Sequence, residues 1–189
     1  MTRSLTTVVS DHQRSCVFQQ SGPNDWGSYP GSSAPVSPVL ALVGFVGLCL
    51  LVGAVGGSMT VRAVHHWYLT LRTPPGTPPA WVFGPVWTTL YVSIGVAGWL
   101  VWKRLGASAP LRLWGWQLAA NALWAPMFFG LHSPLLAMIV MIVLLPLIVF
   151  TMRRFRRFDR MAAFLMLPYC VWCCYAAYLN AGFLMLNRA

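Results

Sequence analysis

The chain has 189 residues, 58% of them hydrophobic and only 8% charged, and its formal net charge is +10. A soluble domain carries about 25% charged residues, so a globule covered by charge is excluded. Such a basic soluble protein would point to nucleic acid. Here the bases gather where apolar stretches end, so membrane orientation and lipid headgroups account for them and no nucleic-acid partner is expected.

Charge-free runs cover residues 26–61, 73–102, 113–152 and 161–187. A spanning helix needs about 20 apolar residues. The third run is twice that length and carries GLHSP at 130–134, a turn signal. Split there, the sequence predicts an all-α membrane protein, a five-transmembrane-helix bundle with spans at about 38–60, 80–102, 112–130, 134–152 and 163–186. Residues 1–35, rich in Ser, Gly, Pro and Gln, are expected to form a disordered N-terminal extension and not a cleaved signal, with the membrane domain over 36–189. The only acids, Asp11, Asp25 and Asp159, lie outside the spans. Ten bases fall on the side of the N-terminus and the 103–112 and 153–160 connections, against Arg62, Arg72 and Arg188 on the other. The positive-inside rule then puts the N-terminus on the cytoplasmic side.

In span one, GAVGG at 53–57 sets Gly53 and Gly57 four apart, a spacing that lets helices approach closely. Packing inside the molecule is expected ahead of a dimer face. The connection 61–79 has four prolines within 74–79, which forbid a helix there. Its Trp67, Tyr68, Leu69 and Leu71 would sit at headgroup level or fold over the bundle as a lid. Span two opens on WVFGPVWTTLY at 81–91. Pro85 comes early, where a missing N–H costs least, and Gly84 lets a neighbour or ligand reach the backbone. Phe83, Trp87 and Tyr91 share one face, as do Gln117, Asn121 and Trp124 on span three. RRFRRFDR at 153–160 is expected as a solvated interfacial turn. On span five, Tyr169, Trp172, Ala176 and Leu179 form a stripe with Asn180 beside it.

Amides in a bilayer are costly unless partnered. Gln117, Asn121 and Asn180 either bond neighbouring helices or anchor a ligand. Together with the rings, they predict a pocket for a flat, mostly apolar molecule. Five cysteines, an odd number, give no disulfide framework. Four metal ligands do not converge, so neither a metal nor a cofactor is expected. His65, His66 and His132 stand on the lid side and read as interfacial residues, with ligation of haem iron as the alternative.

WYLTLRTPPGTPPAWVFGPVWTTLY at 67–91 resembles the signature W-Y-x-x-L-x-x-P-x-x-x-P-P-x-W-V-x-G-P-V-W-x-x-L-Y of the TspO/MBR family. The resemblance continues in LVWKRLG at 100–106, in Gln117 and Asn121, in Trp124 with PMFFG at 126–130, in PYCVW at 168–172, and in Leu179 with Asn180. It implies a five-helix bundle, often a homodimer, in the mitochondrial outer membrane of animals or the envelope membrane of bacteria. It implies binding of porphyrins such as protoporphyrin IX, of haem, of sterols and of benzodiazepine-site drugs beneath the first loop. Carried over by motif, the ligand-binding residues are Phe83, Pro85, Trp87, Tyr91, Asn121, Trp124, Trp172, Ala176, Leu179 and Asn180. Three departures stand out. Gly76 occupies a loop position where many members carry an aromatic. LAMIVMIV at 136–143 replaces a stretch that often supplies a Trp and an acid. No base follows Tyr175 or Tyr178 at the spacing of the sterol motif, which lowers the expectation of cholesterol.

The residues rank four functions. First is a membrane binding protein for tetrapyrroles and related apolar ligands, acting in their transport or in stress-linked regulation. Second is a light- and oxygen-dependent porphyrin-degrading enzyme in which Trp87 and Trp172 face the ligand. The spans hold no general base, nucleophile or metal cluster for other chemistry. A transporter ranks third, because the spans lack acids and show no inverted repeat. A scaffold ranks last, because three spans carry polar faces.

Overall fold

Inside hydrocarbon every backbone N–H and C=O must pair within the chain, and each apolar run meets this demand with a helix. The computed structural model describes residues 37–64 and 67–187, without the side chains of 62–64. The expected extension 1–35 therefore lies outside the described residues, as do His65 and His66. The helices are α1 (Pro38–Val64), α2 (Ala80–Leu105), α3 (Ala109–Ala125), α4 (Pro134–Phe158), α5 (Arg160–Leu165) and α6 (Leu167–Leu186), with no strand among the described residues. Helices α1, α2 and α4 are long and apolar enough to cross a membrane, and α5 with α6 does so as one unit, Arg160–Leu186. The fifth span is α3, which ends in a π-helical turn, Pro126–Gly130. Pro126 has no N–H to continue the α ladder, and the Leu131 N–H instead donates to the Pro126 carbonyl at 2.8 Å. The protein is thus a multi-pass membrane protein with five spans.

Around the bundle the order is α1, α2, α5 with α6, α4 and α3, which closes back on α1. Small residues decide where helices meet. A Cβ on Gly95 of α2 would lie 2.7 Å from the Val46 Cα, so α1 and α2 touch backbone to backbone there. Gly98 receives the Trp114 ring, and the Trp114 Nε1 donates to the Ile94 carbonyl at 3.0 Å. Around this contact Ile94, Ala97, Val101, Leu144, Ile148, Phe155, Met166 and Tyr169 are fully buried in one core. The expected Gly53 and Gly57 pair divides. Gly53 lies against the Tyr91 ring, Gly57 has open space beside it, and it is Gly56 that faces Ala125 of α3.

The basic stretch 153–160 differs from expectation. It is not a turn: α4 continues through Phe158, and the chain breaks only at Asp159. Arginine ends an apolar run without ending a helix, since it is a good helix former with an apolar stem. Phe155 is buried while the arginines at 153, 154, 156 and 157 are exposed. Asp159 caps α5 by accepting from the Ala162 N–H at 3.0 Å and pairs with Arg104 at 2.9 Å. Arg104 also donates to the Phe158 carbonyl at 2.9 Å. The 103–112 and 153–160 connections therefore share one end of the bundle, as the charge count requires.

Gly95→Val is expected to lower stability by about 1–3 kcal/mol, because the added Cβ meets backbone that cannot rotate away. Gly44→Ala, whose Cβ would meet nothing within 4 Å, serves as the neutral control. Thermal unfolding followed by circular dichroism in detergent separates them. Equal melting temperatures would show that α1 is free to shift.

Candidate ligand-binding site

Away from the Gly95 contact, a cavity of about 930 Å³ separates α1 from α2. Helix α2 supplies Trp81, Phe83, Gly84, Trp87 and Tyr91, and α3 supplies Asn121 and Trp124. The π turn adds Phe129, the first connection adds Tyr68, Thr73, Thr77 and Pro78, and α4 reaches it only with Met141. The Trp87 and Tyr91 rings stack at 5.4 Å, as the i, i+4 spacing foretells. The Tyr91 hydroxyl donates to Asn121 Oδ1 at 2.6 Å, which fixes both at the floor. One helical turn deeper, Gln117 is fully buried and its amide makes no hydrogen bond among the described residues.

The cavity is open on one side. Leu50, Ala54, Gly57 and Val61 recur along α1, and Trp81, Gly84 and Thr88 along α2. All seven line the cavity and all are exposed. The opening therefore runs along the seam between α1 and α2, toward lipid.

The first connection roofs the cavity. A short 3-10 turn, Tyr68–Thr70, packs Tyr68 against Phe129 at 6.2 Å and Phe183 at 5.4 Å. Burial pushes the Tyr68 phenol above its ordinary pKa, so it remains a neutral hydroxyl. Gly76 has φ of 83°, the left-handed backbone that the third residue of a Pro-Pro-Gly-Thr turn requires, and the Thr77 N–H returns to the Pro74 carbonyl at 3.3 Å. An aromatic at this position would be strained. Helix α6 holds the roof down. The Tyr175 and Tyr178 hydroxyls donate to the Gly76 and Pro75 carbonyls, and Pro74 rests on Gly182. Asn187 brackets Arg72, accepting from its N–H at 2.8 Å and donating to its carbonyl at 3.0 Å.

Of the residues named from the sequence, Phe83, Trp87, Tyr91, Asn121 and Trp124 converge on the cavity, and Pro85, Trp172, Ala176, Leu179 and Asn180 do not line it. Trp172 stands one ring behind, packed edge to face on Phe83 with ring centroids 5.9 Å apart. Asn180 joins helices: it accepts from the Trp124 Nε1 at 3.3 Å and donates to the Pro134 carbonyl at 2.8 Å. Leu179 lies in a separate apolar cluster with Phe128 and Phe183. His132 packs on Trp67 at 4.6 Å, outside the cavity lining. No cluster of metal-binding side chains occurs among the described residues. The sequence reading missed the α1 wall, Trp81 and Thr88, while Gly84, read as a place where a neighbour or ligand reaches the backbone, does line the cavity. The run of small residues at 53–57 was its one available signal.

The TspO/MBR family model matches residues 45–186. The chain is 38% identical over 153 residues to "Tryptophan-rich protein TspO" of Chlorobaculum tepidum, covering 79% of this chain and 97% of that one. It is 34% identical over 148 residues to "Translocator protein" of Bos taurus, covering 76% and 88%. It is 33% identical over 143 residues to "Protein CrtK" of Rhodobacter capsulatus, covering 74% and 88%.

Asn180→Leu strips the Trp124 Nε1 of its acceptor and is expected to cost about 1 kcal/mol, with no change in the affinity of any ligand held by the cavity. Asn121→Leu removes a cavity-lining amide and is expected to change both. Melting curves and ligand titrations of the two variants check this, and loss of binding in Asn180→Leu would return that residue to the site.

Proposed function

The chain belongs to the TspO/MBR family, and we propose that its cavity binds a flat, largely apolar ligand of the tetrapyrrole class, such as protoporphyrin IX or haem, taken from the bilayer through the α1–α2 seam. The observation that carries this reading is a ring-lined slot of about 930 Å³, open to lipid and floored by the Tyr91–Asn121 pair. Burial of a macrocycle would supply most of the affinity, at about 25 cal/mol per Å² before ordering costs. Stacking on Trp87 and on the edges of Phe83 and Trp81 would orient it. Arg72, exposed beside the roof, is positioned to meet a propionate. Sterols and benzodiazepine-site drugs are further ligands for the same slot. The two tyrosines of the incomplete sterol motif point elsewhere, since Tyr175 and Tyr178 hold the roof. The binding role is transport or stress-linked regulation of the ligand, exercised by a homodimer. Relatives from an animal and from bacteria are consistent with the mitochondrial outer membrane or a bacterial envelope membrane.

A specific observation favours a second reading, porphyrin breakdown in light and oxygen. Trp87 lines the cavity, stacks on Tyr91 and stands 6.4 Å from the buried Tyr169 ring. Oxidisable rings thus lead from the slot into the core. Trp172 would act from behind Phe83.

Protoporphyrin IX added to the purified protein in the dark is expected to quench tryptophan fluorescence saturably. Trp87→Ala is expected to weaken binding about tenfold, and Gly57→Trp, which fills the seam, to slow it. A stable porphyrin spectrum under illumination supports binding alone. A new product that disappears in Trp87→Phe supports the enzyme. Absence of saturable quenching would sink both.

A further inference from the structure

The end of the bundle opposite the roof carries Lys103, Arg104, Arg112, Arg153, Arg154, Arg156, Arg157 and Arg160, and Asp159 is the only acid among the described residues. Arg104 occupies that acid. At this end a cleft of about 290 Å³ is lined by Ala109, Pro110, Arg112, Leu113, Trp116 and Arg154. Arg112 comes from the first turn of α3 and Arg154 from the last third of α4, so two arginines from different helices line one space. Neither has an acid partner among the described residues. Two like charges sharing a cleft repel, and a group that accepts from both relieves this. A phosphodiester does so with paired charge-assisted hydrogen bonds.

We propose that this cleft holds the phosphate of an anionic phospholipid. Two stripes that begin at the cleft carry the argument from phosphate to lipid. On α3, Arg112 is followed on the same exposed face by Trp116, Ala119 and Leu123. On α4, Arg154 is preceded on its exposed face by Phe150, Pro146 and Val143. Each stripe passes from a base through an aromatic ring to apolar side chains. Arg112 to Leu123 spans about 16 Å at the α-helical rise, close to half of a hydrocarbon core of about 30 Å. That is the profile of one leaflet, with charge at the headgroup, a tryptophan at the interface and apolar surface for acyl chains. Trp116 is 68% exposed and Phe150 53% exposed. A soluble phosphate would use the guanidiniums and leave both rings without a role. The basic end faces the cytoplasm by the positive-inside rule, the side on which anionic lipid attracts clustered Arg and Lys.

Native mass spectrometry of the full chain tests the site, using micelles doped equally with phosphatidylglycerol and phosphatidylcholine. One phosphatidylglycerol is expected to be retained about tenfold over phosphatidylcholine. Arg112→Gln with Arg154→Gln is expected to erase that preference. Arg153→Gln with Arg156→Gln removes the same charge from the same end, outside the cleft, and is expected to keep it. Equal losses in the two double variants would reduce the effect to net charge and overturn the site, as would an undiminished preference in the first. Inorganic phosphate that displaces the lipid at millimolar concentration would identify a site for free phosphate and overturn the lipid assignment. If the first double variant fails to fold, Arg154→Lys is read instead. It keeps the charge and loses the fork, and a drop of about threefold is expected, with no drop counting against the proposal.

Discussion

The backbone of α1 lies directly on Gly95 of α2, and much of the molecule follows from that contact. Only hydrogen occupies the α2 surface at the crossing, so the α1 backbone comes into direct contact with it there. On the loop side of it they are held apart by the Tyr91 ring wedged against Gly53. The space beyond that wedge is the cavity. Lipid tails are as apolar as leucine, so no hydrophobic effect pulls α1 and α2 together above the wedge. Contact at one level and separation at another is then set by side-chain volume alone.

The three asparagines among the described residues divide into two groups. Asn180 and Asn187 tie together pieces of the scaffold: α3, the start of α4 and the first connection all hang on α6 through them. Asn121 is different, because its partner is the Tyr91 hydroxyl and both face the cavity. Asn180 uses both ends of its amide on the scaffold, whereas Asn121 Oδ1 accepts from a hydroxyl that itself lines the cavity. The roof depends on the first group. Its prolines remove backbone donors, so it cannot form a ladder, and tyrosine hydroxyls from α6 meet its carbonyls instead.

The two ends of the bundle carry different chemistry. The roofed end has rings, threonines and a wide slot, which suits a flat molecule arriving from the bilayer. The opposite end has bases and a narrow cleft, which suits a headgroup. Helices α3 and α4 span both ends, and the Arg104–Asp159 pair fixes the basic end where α5 begins.

Five spans, and the gathering of the 103–112 and 153–160 stretches at one end of the bundle, were legible in the sequence, because hydrocarbon thickness and backbone pairing permit few other solutions for such runs. So was the shared face of Phe83, Trp87 and Tyr91, since helical periodicity is local. The length of α4 was not legible, because arginine marks the edge of an apolar run and not the end of a helix. Nor could periodicity tell which face meets a cavity and which meets a helix. Trp172 and Asn180 carry the same signal as Trp87 and Asn121, yet one stands behind Phe83 and the other is bonded between helices. The α1 wall carried almost no signal, being built from glycine, alanine, valine and leucine with one threonine, Thr60. By itself the sequence determined the elements and the faces of each, which depend on neighbours three and four residues away. Only the tertiary structure decided the site, because the gap between two helices is set by the glycines and rings that meet across it from distant parts of the chain.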